Sequence, residues 1–173
     1  MLPPLTLVLG GASSGKSGVA EKLIERSGLD KIYVATSQIW DEETQFRVDR
    51  HVAQRGPGWQ TIEVPVDVPD ALAPCTNGQA VLLDCATLWL TNVMLGDHDL
   101  ETAQASLLTA LAACDAPVVV VSNEVGQGIV PENALARHFR EAQGRLNIAL
   151  AAQADCVLHV LAGLVDVRKG EMP

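Results

Sequence analysis

The chain has 173 residues, 48% of them hydrophobic and 19% charged, which bounds it to one compact domain, residues 1–173, long enough to bury a core. Its 21 acidic residues outnumber 12 basic ones for a formal net charge of -9, so the surface as a whole repels nucleic acid and anionic membranes. Aromatics are only 3%, too few for platforms that stack single-stranded nucleic acid, and apolar runs such as Ala80 to Leu83 and Val118 to Val121 are far too short to span a bilayer. The amino terminus has no charged lead into an apolar cleavage segment, so the expected location is the cytoplasm.

Leu5 to Leu9 is a short continuous apolar run ending in Gly10 and Gly11, the pattern of a strand buried on both faces. Similar runs recur at Lys31 to Ala35, Gln60 to Val64, Ala80 to Asp84, Pro117 to Val121 and Cys156 to Leu161. Helical periodicity falls at Ser17 to Arg26, Glu42 to Gln54, Leu100 to Ala113 and Pro131 to Ala152. In the last of these, Leu135, Phe139, Leu146 and Leu150 mark one apolar face, Arg137, Arg140, Glu141 and Arg145 mark another, and Pro131 suits the first turn. Arg55 to Trp59 and Ala73 to Gly78 read as turns. Strands alternating with helices predict an α/β chain with a largely parallel sheet. Cys75, Cys85, Cys114 and Cys156 lie far apart, with no Cys-x-x-Cys pair and no histidine at metal-ligand spacing, and are expected to be reduced and mostly buried.

The segment Gly10-Gly11-Ala12-Ser13-Ser14-Gly15-Lys16-Ser17 has the spacing Gly-x4-Gly-Lys-Ser and lies directly between the first predicted strand and the first predicted helix. Glycines let the backbone turn its amide hydrogens around phosphate oxygens, the helix amino terminus adds its positive end, and Lys16 reaches the terminal phosphates. Ser17 would hold Mg²⁺. A second carboxylate is needed at the end of a neighbouring strand, and Asp84 closes Ala80-Val81-Leu82-Leu83-Asp84. Asp84 is also suited to cap a helix before Thr87. These features specify a nucleoside triphosphate and magnesium, and leave the acceptor open.

Arg47, Arg50, His51 and Arg55 form a local basic cluster in an otherwise acidic chain. On a helix, arginines at this spacing could hold a triphosphate while the imidazole approaches one phosphorus; a solvated surface histidine is the plainer alternative, and His98, His138 and His159 take a surface or core reading. Ser122 to Asn133, with Gly126, Gly128 and Glu124, follows a buried run and precedes a helix, so it is either a substrate loop or an ordinary connection.

The order of motifs matters more than any one of them. The loop Gly10 to Ser17 is followed by Tyr33-Val34-Ala35-Thr36, then Arg47-x3-His51-x3-Arg55 before Trp59, then Leu83-Asp84-Cys85-x-Thr87-Leu88-Trp89-x-Thr91-Asn92. Ser122-Asn123-Glu124-Val125-Gly126 and Gly128-Ile129-Val130-Pro131-Glu132-Asn133 close the series. From about Leu5 to Gly163 this resembles the bifunctional adenosylcobinamide kinase and adenosylcobinamide-phosphate guanylyltransferase family of cobalamin biosynthesis. The resemblance implies a P-loop NTPase-like three-layer fold, with a mostly parallel central sheet flanked by helices. It implies a bacterial enzyme that phosphorylates the aminopropanol hydroxyl of the corrinoid adenosylcobinamide with ATP or GTP, then transfers GMP from GTP onto that phosphate. The histidine that carries the guanylyl group in the family falls at His51. The family's nucleotide contacts carry over to Gly10, Gly11, Ala12, Ser13, Ser14, Gly15, Lys16 and Ser17, to Ala35, Thr36 and Ser37, to Val52, Ala53, Gln54 and Arg55, and to Glu63 and Asp84. A homotrimer is the implied assembly.

The chain departs from the family pattern in two places. The family carries Arg where this chain has Ser13, which removes one cation near the phosphates, and the ending Leu164 to Pro173 differs from the usual short apolar and basic one. Two other functions fit the motifs taken singly: a monofunctional P-loop kinase for another small hydroxylated acceptor, and a nucleotide-binding regulator without the transferase chemistry.

Overall fold

The computed structural model describes residues 1–38 and 55–173. Among the described residues seven strands form one sheet: β1 (Leu5–Gly10), β2 (Asp30–Ala35), β3 (Trp59–Glu63), β4 (Gln79–Asp84), β5 (Val118–Asn123), β6 (Cys156–Leu161) and β7 (Leu164–Lys169). Their order is β3-β2-β4-β5-β1-β6-β7, and every neighbouring pair is parallel except the antiparallel β6–β7 hairpin. The helices are α1 (Lys16–Ser27), α2 (Val68–Leu72), α3 (Ala86–Leu95), α4 (Leu100–Ala113) and α5 (Ala134–Gln153). The predicted helix over Glu42 to Gln54 lies outside the described residues.

The pleat divides the core. Val8, Tyr33, Ala35, Leu82, Val119, Val121, Leu158 and Val160 pack with Ala20, Leu23 and Ile24 of α1. Their alternates Leu5, Leu7, Ile32, Val34, Val81, Leu83, Val118 and Val120 pack with α2, α3, α4 and α5. Burial on both faces explains why the inner strands read as unbroken apolar runs rather than alternating ones. This is the expected three-layer architecture, with α1 alone covering one face among the described residues.

Three differences from the sequence reading have physical causes. Helix α3 has no polar stripe, because Ala86, Thr87, Trp89, Leu90, Asn92 and Val93 are all buried and a helix surrounded by protein shows no 3.6-residue alternation. The cap of this helix is Cys85, whose sulfur accepts the Leu88 amide at 3.4 Å, so Asp84 is free of that duty. Helix α5 begins at Ala134 rather than Pro131: Asn133 Oδ1 accepts the amides of Leu135 (2.8 Å) and Ala136 (3.2 Å), and Pro131 stays in the loop before it. Leu135 is consequently exposed, and the inward face is Ala142, Gln143, Leu146, Asn147 and Leu150. The atypical ending forms β7, an edge strand on β6.

All four cysteines are free thiols, Cys75, Cys85 and Cys156 buried and Cys114 half-buried. Burial pushes the Cys85 thiol up to about 12, with Asp84 adding to the effect, so it behaves as an apolar group that also caps a helix. No helix among the described residues is long and apolar enough to cross a membrane.

A buried clasp holds the active edge of the sheet together. The Thr36 hydroxyl donates to the Cys85 carbonyl and accepts the Cys85 amide, both at 2.8 Å. Asn92 Nδ2 from α3 donates to the carbonyls of Thr36 (2.7 Å) and Pro65 (2.9 Å). Asn92→Ala strands both carbonyls, and urea unfolding is expected to show a loss of about 2 to 3 kcal/mol. A loss within about 0.5 kcal/mol would mean that water replaces the amide without cost.

Candidate functional site

The loop between β1 and α1 is shaped by backbone crowding. A Cβ on Gly10 would sit 2.4 Å from Ser14 Oγ and 2.6 Å from the Val160 carbonyl oxygen, so this position admits no side chain. Ser13 at φ 55° and Gly15 at φ 95° turn the chain through left-handed geometry into α1. Gly15 occupies the cap position of that helix without a side chain to offer, leaving the first-turn amides for an external acceptor. Ser14 Oγ is buried and has no hydrogen-bond partner, and it faces the same confined space.

Lys16 is 9% exposed, and its ammonium donates to the Gly11 carbonyl at 3.0 Å. Burial pulls its pKa down, against the opposing influence of Cys85 and Asp84. The lysine is therefore folded back over the loop, within electrostatic reach of the carboxylate that ends β4. Ser17, the next residue, is half-buried in the first helical turn.

Around Asp84 lies a polar cluster that only part of the sequence reading anticipated. Tyr33 donates its hydroxyl to Asp84 Oδ2 at 3.2 Å. Arg55, 5% exposed, places its guanidinium carbon 3.4 Å from the centroid of the Tyr33 ring. Burial, then Asp84, pushes the Tyr33 phenol well above its usual range, so it remains a hydrogen-bond donor. Glu21, on α1, is raised to about 7, first by burial and then by Asp84, with Arg55 opposing. Glu21 escaped the sequence reading because its spacing from Ser17 along one helix face says nothing of the sheet opposite.

The remaining predicted residues fall along the same carboxyl-terminal edge of the parallel strands. Ala35 ends β2 and accepts the Val64 amide at 2.8 Å; Thr36 is fully buried in the clasp, and Ser37 is half-buried just beyond it. Glu63 ends β3 opposite Ala35 and is exposed. The structure thus brings Gly10 to Ser17, Ala35 to Ser37, Glu63 and Asp84 to the ends of four strands, while Arg55, just ahead of β3, lays its guanidinium over Tyr33 beside them. His51, Val52, Ala53, Gln54, Arg47 and Arg50 lie outside the described residues.

The segment after β5 is tied to both the loop and the layer of α5. The Glu124 amide donates to the Gly10 carbonyl at 3.1 Å. Ser122 Oγ donates to Asn147 Oδ1 at 2.6 Å, Gln143 Nε2 donates to both groups, and Asn147 Nδ2 donates to the Asn123 carbonyl at 3.0 Å. Thr87 Oγ1 accepts the Asn123 amide at 2.8 Å. Gln143 and Asn147 were unremarked in the sequence, although two amides four residues apart on an apolar helix face are a legible sign of a buried network. Arg140 donates to the Gly126 carbonyl, and Arg137 donates to those of Pro131 (2.9 Å) and Glu132 (2.6 Å), so α5 holds the loop in front of it.

A parallel sheet whose first strand turns through a glycine-rich loop into a helix, with Lys16 inside the turn and a carboxylate on a nearby strand, is the architecture of P-loop NTPases. Solved structures agree at the level of fold. An ATPase of a type III secretion system matches with a TM-score of 0.60 at 12% identity, covering 95% of this chain and 56% of that one. The RadB recombinase matches at 0.52 with 16% identity, covering 99% and 83%. FlaH, a flagellar accessory protein of Methanocaldococcus jannaschii, matches at 0.53 with 12% identity, covering 99% and 81%. The chain belongs to the cobinamide kinase / cobinamide phosphate guanyltransferase family, whose model matches residues 6–167. It is 40% identical to the bifunctional adenosylcobalamin biosynthesis protein CobP of Pseudomonas aeruginosa, over 95% of this chain and 97% of the relative. It is 41% identical to the bifunctional adenosylcobalamin biosynthesis protein CobU of Escherichia coli, over 92% and 97%.

The elevated Glu21 pKa makes stability depend on pH. Between the ordinary value of 4.5 and about 7 the unfolded chain has released this proton and the folded chain retains it, so folding stability falls as pH rises through that window. Glu21→Gln is expected to flatten this part of the melting-temperature profile for the nucleotide-free protein. An unchanged slope would show that Glu21 ionises normally in the fold.

Proposed function

We propose that this chain carries out two successive transfers on a corrinoid: phosphorylation of the aminopropanol hydroxyl of adenosylcobinamide by a nucleoside triphosphate, then transfer of GMP from GTP to the new phosphate. The observation that carries the reading is the crowded Gly10 to Ser17 turn, with Lys16 buried beside Asp84, in a chain similar over most of its length to bifunctional proteins of adenosylcobalamin biosynthesis.

For the first transfer, the loop amides and Lys16 bind and orient the phosphate chain. The acceptor hydroxyl gives up its proton to water as its oxygen forms a bond to the γ-phosphorus, the bond to the bridging oxygen breaks, and the nucleoside diphosphate leaves with the electron pair. Lys16 exchanges its contact with the Gly11 carbonyl for the charge that grows on the departing oxygen. Because Lys16 is already desolvated, that exchange requires little reorganisation of water.

Mg²⁺ fits the donor set. Ser17 offers a hydroxyl and Asp84 a carboxylate, both hard oxygen ligands, and among the described residues no group of three or more His, Cys, Asp or Glu could hold a metal by itself. A cation held by Ser17 and Asp84 would complete its shell with phosphate oxygens and water, and when bound it supplies neutralisation of phosphate charge. Tyr33 steadies Asp84 by its hydrogen bond.

For the second transfer, a neutral His51 nitrogen attacks the α-phosphorus of GTP and pyrophosphate leaves. An oxygen of the corrinoid phosphate then displaces the histidine and takes the GMP. Arg47, Arg50 and Arg55 favour the neutral imidazole by charge repulsion and bind phosphate oxygens. Ala35 to Ser37, Val52 to Arg55 and Glu63 hold the guanylate. The hydroxyl of Thr36 is committed to Cys85 in both directions, its amide to the Asp84 carbonyl and its carbonyl to Asn92, so its share of that contact is to hold Ala35 and Ser37 in place. One domain, a cytoplasmic location and a homotrimer complete the proposal, on the strength of the family resemblance.

Incubation with α-phosphate-labelled GTP and Mg²⁺, followed by denaturation, is expected to leave acid-labile, alkali-stable label on the wild type and none on His51→Ala. Two unlabelled proteins that still bind GTP would remove the covalent step and leave a kinase or a nucleotide-binding module. Lys16→Met is expected to lower kinase turnover by at least about a hundredfold. Glu63→Ala is expected to weaken GTP binding, and unchanged affinity would refute its assignment.

A further inference from the structure

A nucleoside triphosphate seated in the Gly10 to Ser17 loop has to send its purine away from the phosphates along one of the flanks of β1. On the β5 flank the way is taken by the segment that begins at Glu124, whose amide is bonded to the Gly10 carbonyl and whose course is fixed by Arg137 and Arg140. On the β6 flank stands the β6–β7 hairpin. Its turn is two residues, Ala162 at φ 53° and Gly163 at φ 77°, the tight geometry that matches strand twist.

That hairpin is fastened to the loop. The Gly163 amide donates to the Ser14 carbonyl at 2.8 Å, and a Cβ on Gly15 would lie 3.3 Å from the Gly163 Cα. Turning the Ser14 carbonyl outward to meet the hairpin leaves the loop amides for the phosphate side. Flanking the turn, Leu161 and Leu164 are directly paired across the two strands, so they stand on one face. They are 68% and 76% exposed, although every other residue of β6 is buried or half-buried. Two leucines held in the open beside a phosphate cradle, in a chain with few aromatic side chains, offer an apolar surface of the kind a purine face covers.

We infer that the β6–β7 hairpin, through Leu161 and Leu164, is the seat of the purine of the phosphoryl donor. It is a subsite apart from the β2–β3 edge proposed for the guanylate, and the inference rests on the reading of Gly10 to Ser17 as the phosphate cradle. The contact is apolar and makes no demand on the purine's hydrogen-bonding edge, so the kinase step accepts adenine and guanine donors alike. Specificity for guanine belongs to the other edge, where Glu63 stands.

The test is calorimetric titration of the full chain in Mg²⁺ with a non-hydrolysable ATP analogue and, separately, with inorganic tripolyphosphate, comparing the wild type with Leu161→Ser/Leu164→Ser. The analogue is expected to bind the variant about tenfold more weakly, as loss of roughly one leucine-sized apolar contact predicts, while tripolyphosphate affinity stays within about twofold. Leu161→Met/Leu164→Met, which retains an apolar surface, is expected to restore most of the difference. Unchanged binding of the analogue overturns the inference. So does equal weakening of both ligands, which makes the hairpin a support for the loop, or a change of mass in light scattering that accounts for the loss, which makes the leucine pair a contact with a second copy. A wild type that binds neither ligand defeats the phosphate cradle itself, whereas one that binds both equally defeats only the purine seat.

Discussion

The site depends on a place where no side chain fits. At Gly10 the backbone passes so close to Ser14 and to the carbonyl of Val160 that the strand, the loop and the neighbouring β6 are held in one arrangement. The consequence propagates in both directions. The Glu124 amide bonds to Gly10 from the β5 side, and Gly163 bonds to Ser14 from the β6 side, so the loop is braced by the strands on each flank. A cradle fixed this way presents its amides before any ligand arrives, which is the condition for strong electrostatic stabilisation at little cost in reorganisation.

Charge around the cradle is organised by scarcity of water. Glu21 is drawn out of water where α1 packs on the sheet, and the negative charge of Asp84 adds to that cost, which is why Glu21 retains its proton toward neutrality. Lys16 has the complementary problem, a charge drawn out of water and satisfied for the moment by a carbonyl. Bound phosphate and a divalent cation would relieve both, because each supplies the charge that the other's neighbours lack. Tyr33, kept protonated and packed under Arg55, donates to Asp84, while the Arg55 charge partly offsets the acidic groups of the cluster.

Much of this was legible in the chain because its signals are local. The apolar run, the spaced glycines and the helix that follows lie within about 25 consecutive positions, and the carboxylate at the end of β4 is marked by the strand before it. What stayed hidden required the third dimension. Helix α3 has no polar face to betray its period, α2 is only 5 residues long, and the capping thiol of Cys85 is not a side chain that sequence rules nominate. Pro131 suited the start of a helix, yet Asn133 offered two amide contacts at once and set the start three residues later. Glu21 looked like any solvated acid on a helix, and its meaning came from the sheet edge it faces. The basic cluster was legible as composition, and its member Arg55 proved to be buried against an aromatic ring rather than solvated.

The two outer strands have a consequence for how copies of this chain meet. Strand β3 presents Gln60, Thr61 and Glu63 to solvent, and β7 presents Asp166, Arg168 and Lys169. Lys169 is additionally anchored to the carbonyls of Ala151 and Ala152 at the end of α5. Charged and polar side chains on both rims discourage another sheet from adding on by backbone pairing. Growth of one copy's seven-stranded sheet onto another's through either rim is therefore disfavoured, and a fold with two open sheet edges stays soluble by the side chains it sets along them.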